Sequence, residues 1–336
     1  MAKNLKYIAL WLLVTLLASA CSSDGGDTPS TPPANTQDEI NIKAQVWQVM
    51  QGASAPRRAH TYDDVAALKT EAQFKCTAYQ ANSNPLVAYI PTTTVDWDSG
   101  DNRWEFNHGT DHYYWPASGN LDFFAYMPAT PPSYITAGPT YTATSTPSIT
   151  HTISFTCSDL PMNNAGQGSS LKEFMFGMAL GQNGENAGSG VPLQFQHPFA
   201  RIKLQLAASH PNVTINSITF RSIKNNGNYN HSASPKWSTS GDATNFELTL
   251  EGAAAVFDNN STAKQIGDDY IMIPQDWTGV IVVNADCLYW GEKKNYPSLT
   301  TTVPTDWQPG YSYTYTFSIS PDDLKVGTTS QFTEQW

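Results

Sequence analysis

The stretch Pro192–Leu206, PLQFQHPFARIKLQL, limits what this chain can fold into more than any other. Leu193, Phe195, His197 and Phe199 alternate with Gln194, Gln196 and Pro198, the period of a half-buried strand. From Ala200 the phase slips by one residue. Ala200, Ile202, Leu204 and Leu206 become the apolar set, and Arg201, Lys203 and Gln205 the polar one. Such a slip turns every later side chain to the opposite face, so a flat strand would bury Arg201 and Lys203. The expected solution is a bulge or kink near Pro198–Ala200, within a long strand that serves two packing surfaces. Pro198 suits the place because it has no N–H to give to a ladder.

The period of two recurs along the chain. It is cleanest at Gly310–Ser320, where Tyr311, Tyr313, Tyr315, Phe317 and Ile319 share one face and Ser312, Thr314, Thr316 and Ser318 the other. Phe74, Cys76 and Ala78, then Ile153, Phe155 and Cys157, repeat it on a shorter scale. Further strand-like runs are Leu121–Pro128, Val213–Phe220, Asn245–Leu250, Asp269–Pro274 and Gly279–Trp290. Twenty-two Gly and 22 Pro supply turns, and no long amphipathic helical pattern follows residue 20. The expected class is therefore all-β, in two layers and mainly antiparallel. With 18 basic against 29 acidic residues and a net charge of −11, the chain lacks the basic face that nucleic acid demands.

The ends carry signals of their own. Lys3 and Lys6 followed by the apolar run Ile8–Ala20 make residues 1–20 a targeting segment, too short for a comfortable membrane span. Ala18-Ser19-Ala20-Cys21 has the form of a bacterial lipobox, with Leu17 one place from the usual leucine position. Cys21 is thus expected to be the acylated N-terminus, anchored in outer-membrane lipid. Residues 21–38 read as a polar, Pro- and Gly-rich tether. Ile40, Ile42, Ala44 and Val46 then alternate as a first strand, and the loop after it holds Arg57 and Arg58, the only adjacent arginines. The break at Ser209–Asn212 sets the expected boundary between an N-terminal domain, 39–210, and a C-terminal domain, 211–336. At the far end, Gln331–Trp336 makes one more short strand, with Phe332 as an apolar side chain and Trp336 as a terminal anchor.

Several of these pieces together carry a resemblance. The strand apolar-x-Phe-x-His-x-x-Ala-Arg-Ile at 193–202 is similar to one in the fimbrillin-like surface lipoproteins of the Bacteroidetes. So are Tyr114-Trp115-Pro116 with Leu121–Pro128, Ile273-Pro274-Gln275, and Trp307-x-x-Gly310-x-x-Tyr313-x-Tyr315. The resemblance implies two transthyretin-like β-sandwich domains in tandem. It implies export to the cell surface, with Asp24 and Asp27 loosely matching an outer-face sorting signal. It further implies that an arginine-specific protease cuts at Arg57-Arg58 or Arg58-Ala59, freeing the strand Ile40, Ile42, Ala44, Val46. A strand from another fimbrial subunit would then take its place, in a fimbria that adheres to host or bacterial surface ligands. Because Gln331–Trp336 is short and weakly apolar, it is expected to close the chain's own sheet, which favours a tip or minor subunit.

Signs of other chemistry are sparse. His108, Asp111 and His112 are the one tight group of metal-ligand types, in a Gly-containing loop without the helical spacing of a zinc site. They are expected to be a solvated loop. His197 is expected to be a hydrogen-bonded core histidine. No G-x-S-x-G, C-x-x-C or phosphate-cradling motif occurs, and no catalytic residue, metal or cofactor is expected. Cys76, Cys157 and Cys287 fit either one bridge or buried thiols. The alternative function is a surface glycan-binding lipoprotein of a polysaccharide-uptake system, with a sugar platform drawn from Trp97, Trp104, Trp115, Trp237 and Trp290. That reading requires several of these rings to be exposed together.

Overall fold

A computed structural model describes residues 38–46, 65–71, 73–81, 83, 85–144, 150–168, 171–206, 213–250, 264–289, 291–302, 305–319 and 326–335. The first half opens with β1 (Ile42–Val46) and a seven-residue helix α1 (Val65–Glu71). It continues through β2 (Gln73–Gln80), β3 (Ala88–Asp98), β4 (Arg103–Phe106) and β5 (Leu121–Met127). A hairpin of β6 (Ile135–Thr144) and β7 (Thr150–Cys157) then leads to β8 (Met175–Gln182) and β9 (Val191–Gln196). Seven of these strands form a sheet that closes on itself in the order β1-β4-β3-β2-β5-β8-β9. Neighbours run antiparallel except at the closing seam, where β1 lies parallel to β9. Alternate residues fill the interior: Phe74, Cys76 and Ala78, then Leu121, Phe123 and Ala125, then Val191, Leu193 and Phe195. Leu68 of α1 joins them, fully buried.

After β9 the chain does what the phase slip demands. Residues 197–199 break the strand, and β10 (Ala200–Leu206) enters a different sheet. Two of the freed carbonyls at the break have partners from later in the chain. Pro198 accepts from the Trp237 indole Nε1 at 2.6 Å, and Phe199 from the Gly310 N–H at 2.9 Å. His197 is a core histidine as expected, its Nδ1 2.9 Å from Glu173 Oε1 with both side chains about 1% exposed.

The second half comprises β11 (Val213–Ile223), β12 (Asn226–Asn230), β13 (Trp237–Ser240) and β14 (Thr244–Thr249). Short pieces follow: β15 (Lys264–Gln265), β16 (Tyr270–Met272) and β17 (Asp276–Trp277). The last are β18 (Val280–Tyr289), β19 (Glu292–Thr302), β20 (Thr305–Asp306), β21 (Tyr311–Ile319) and β22 (Val326–Gln335). One sheet places β10 between β15 and β16 on one side and the parallel β21 on the other, with β22 outermost. A second sheet, β14-β11-β18-β19, lines the same core. Ile202, Leu204, Tyr313, Tyr315 and Phe317 meet Ile218, Phe220 and Val283 there.

Two details differ from expectation. Arg201, placed on the polar face of β10, is buried at 6% exposure. Its cross-strand neighbour Ile271 belongs to a third apolar cluster that covers that end of the face, so the guanidinium turns to Ser312 Oγ at 3.1 Å. The terminal strand is longer than Gln331–Trp336 suggests. It runs antiparallel to β21 from Ile319↔Val326 to Tyr311↔Gln335, with Phe332 at the level of Thr314. Val326–Ser330 carries no apolar alternation, and only its backbone pairing makes it a strand. Trp336 lies outside the described residues, as does the boundary segment 209–212.

A fourth sheet, β13-β12-β7-β6, pairs a hairpin from the first half with one from the second. Over it lies the third cluster, in which Phe155 and Phe174 pack with Phe199, Tyr229, Trp237 and Ile273. Residues 37–336 form a single compact unit.

Candidate functional site

The seam around β1 is where a functional site can be assembled. Ile40, Ile42 and Ala44 are 2%, 6% and 4% exposed, whereas Lys43 is exposed and Asn41 and Gln45 half-buried. The alternation read from the sequence matches the burial at Ile40, Ile42 and Ala44, while Val46, the last of the row, is half-buried like Gln45. Each buried isoleucine contributes about 1.5–3 kcal/mol of apolar burial. Against β9 the strand makes five successive parallel pairs, Ile42↔Val191 to Val46↔Phe195. Against β4 it has one antiparallel pair, Ile42↔Trp104. Just upstream, the Ile40 N–H donates to Tyr113 O at 2.7 Å and the Trp115 N–H to Asp38 O at 3.0 Å. Glu39 Oε1 lies 2.6 Å from His112 Nδ1. Gly190 precedes β9 with φ +75°, and a Cβ there would stand 3.4 Å from the backbone of Asn41 and Ile42.

Aromatic rings floor the seam. Phe74 on β2 lies 4.9 Å from Trp104 on β4 and 5.2 Å from Phe195 on β9, ring centre to ring centre. α1 packs beside β1 and is held from outside as well. Lys69 Nζ sits 3.9 Å from the centre of the Trp97 ring, and Glu71 pairs with Lys172 at 2.5 Å. Neither α1 nor the parallel pairing with β9 has a signal in the sequence. One is too short for a periodic pattern, and the other joins residues some 150 positions apart.

Cys21, Arg57 and Arg58 lie outside the described residues. His108, Asp111 and His112 are not brought together as one ligand set. His108 Nε2 is 3.4 Å from Asp96 Oδ1, while His112 faces Glu39. Among the described residues, the acids that do converge are Asp98, Asp101 and Glu105, at the turn between β3 and β4. Arg103 reaches into them, 2.5 Å from Glu105 and 3.5 Å from Asp101, and already balances part of their charge. Cys76 and Cys157 are buried free thiols whose pKa values burial pushes up to about 12, so neither is a ready nucleophile.

Nor, among the described residues, do the tryptophans gather into an open platform. Trp104, Trp115 and Trp237 are at most 5% exposed, and Trp97 is half-buried beneath Lys69. Trp290 lies outside the described residues.

The fimbrillin-like family model matches residues 58–336. The chain belongs to the fimbrillin-like family. Solved structures resemble this fimbrillin-like protein in fold, two of them as follows. A candidate cell adhesion protein from Bacteroides ovatus is 15% identical with a TM-score of 0.52, over 89% of this chain and 98% of that one. Another, from Bacteroides uniformis, is 13% identical with a TM-score of 0.52, over 91% of this chain and 100% of that one. No curated protein matches. The family match begins downstream of β1, so the strand that closes the seam falls outside the matched region.

Proposed function

We propose that this fimbrillin-like protein is a lipoprotein subunit of a cell-surface fimbria, and that it joins its neighbour by exchanging β1 for a strand of that neighbour. The observation that carries the reading is β1 itself. It is a separate five-residue strand, packed through Ile42 and Ala44 and through Ile40 just before it, whose removal leaves the β9 edge Val191–Phe195 unpaired. Such an edge takes up an extended segment through main-chain hydrogen bonds, with alternate side chains setting the register. The segment joining β1 to α1 contains Arg57 and Arg58, and the family match starts at residue 58. An arginine-specific cut there leaves β1 held only by non-covalent contacts, its side-chain packing and its pairing with β9 and β4. Acylated Cys21 anchors the precursor, with its tandem sandwich domains 39–210 and 211–336, to the outer membrane until the cut; the first domain then enters the fibre without β1. Pairing of β22 with β21 supports a tip or minor subunit in an adhesive fimbria, because a strand engaged in its own sheet is not free to be donated.

The test is N-terminal sequencing of the protein in surface fibres, together with treatment of the purified chain by an arginine-specific protease. Fibre subunits beginning at Arg58 or Ala59 are expected, and subunits beginning at Cys21 would reject the processing step. Purified chain should be cut without forming long SDS-resistant ladders. Ladders that vanish on deletion of residues 326–336 would instead make it a self-polymerising stalk.

A further inference from the structure

The seam has a shape as well as an edge. Ile42 faces Trp104 across to β4 and Val191 across to β9, while Val46 stands opposite Phe195. Ala44 falls between them and is 4% exposed. The rings of Trp104, Phe74 and Phe195 form a continuous contact from β4 to β9, in the same buried cluster as Ile42 and Ala44. Leu68 of α1 and Leu193, the register partner of Ala44, are both wholly buried in the same cluster. A core filled this way has no slack, because interiors pack at crystal-like density and extra methylenes force side chains off their rotamers.

We infer that the seam selects its occupant by size at one position. The partner is an extended segment of a different subunit that runs parallel to β9 and carries two large apolar residues, then Ala, Ser or Gly, then another apolar residue, each two apart. This rests on the strand-exchange reading and names the partner that reading requires. A second copy's tail does not qualify. Val326–Gln335, VGTTSQFTEQ, contains no pair of large apolar residues two apart followed by a small one. The outward positions of the occupant are polar and undemanding, as Asn41, Lys43 and Gln45 are in β1. Gly190 sets the entry, since it brings the loop before β9 against the occupant's backbone at Asn41 and Ile42.

The experiment uses the full chain with a protease site inserted among residues 47–64, cut and incubated with labelled synthetic peptides of residues 38–46. The native-sequence peptide should exchange into the seam, and its Ala44→Ser form should bind within about threefold of it. The Ala44→Leu form should bind about tenfold more weakly or worse. Truncating the floor in a Phe74→Ala chain should restore the Leu peptide relative to the native one. In the intact, uncut chain, Ala44→Leu should lower the melting temperature. Equal binding of the Ala and Leu peptides overturns the size selection and leaves strand exchange standing, as does an unchanged melting temperature of intact Ala44→Leu. Failure of every peptide, native sequence included, overturns strand exchange itself and the partner inference with it.

Discussion

Two side chains bear on how the interior is held. Trp237 spans the third cluster, with Phe155 5.5 Å and Phe199 5.3 Å from its ring, and its indole N–H caps the Pro198 carbonyl at the break after β9. Trp237→Phe keeps most ring contacts and strands that carbonyl. Its expected cost is about 1–3 kcal/mol, read from urea unfolding. His231 lies against Phe176 at 5.4 Å, and burial, with Lys236 nearby, lowers its pKa to about 4. In the unfolded chain a histidine titrates near about 6.5, so between that pH and about 4 the unfolded state holds the extra proton. The contribution of neutral His231 is therefore complete above about pH 6.5 and is lost progressively as the pH falls towards 4. A His231→Gln protein should show a shallower fall of melting temperature across that window. Parallel curves for the two proteins would remove His231 from the acid response.

At the scale of elements, the edge strand β22 is the informative case. It covers β21 along its length, so deleting residues 326–336 should expose the Tyr311–Ile319 edge. The truncated chain is expected to melt earlier and to scatter light on standing; unchanged melting and solubility would show that the pairing adds nothing. What the sequence revealed about such elements depended on distance. The alternation in Tyr311–Ile319 and the slip at Ala200 are local, because they follow from which face each residue must turn. Ala200, Ile202, Leu204 and Leu206 and then Tyr313, Tyr315 and Phe317 are buried rows, although Ser312 and Thr316 on the other face of β21 are buried as well. Which strand lies beside which is not local. No feature of Ile40–Val46 names Val191–Phe195 as its partner, and nothing in Asn226–Asn230 points to β7. The burial of Arg201 was hidden for the same reason, since it depends on Ile271 and Ser312 arriving from later strands. The seam itself was legible as a strand with an arginine pair downstream, but its aromatic floor was not.

For the whole molecule, the sheet β13-β12-β7-β6 ties residues on both sides of the expected boundary into one body. Tyr229 and Trp237 from the second half stack on and against Phe155 from the first, at 4.9 and 5.5 Å. Unfolding is expected to be a single calorimetric transition whose calorimetric and van't Hoff enthalpies agree. Two resolved peaks would mean that the halves melt independently. The run of residues 191–206 has a mechanical consequence. Its first part holds the occupant of the seam through five parallel pairs, and its second part holds β21 through six, Arg201↔Ser312 to Leu206↔Phe317. Tension applied along these strands loads each set of hydrogen bonds in shear, all at once, whereas a hairpin peeled from its end yields one bond at a time. A single polypeptide run thus links the sheet that holds the seam to the sheet that holds β21, and its one interruption, at residues 197–199, is clamped by Trp237 and Gly310. Were a neighbour's strand to take the place of β1, a pull on the joint would reach this run through the same five pairs, loaded together.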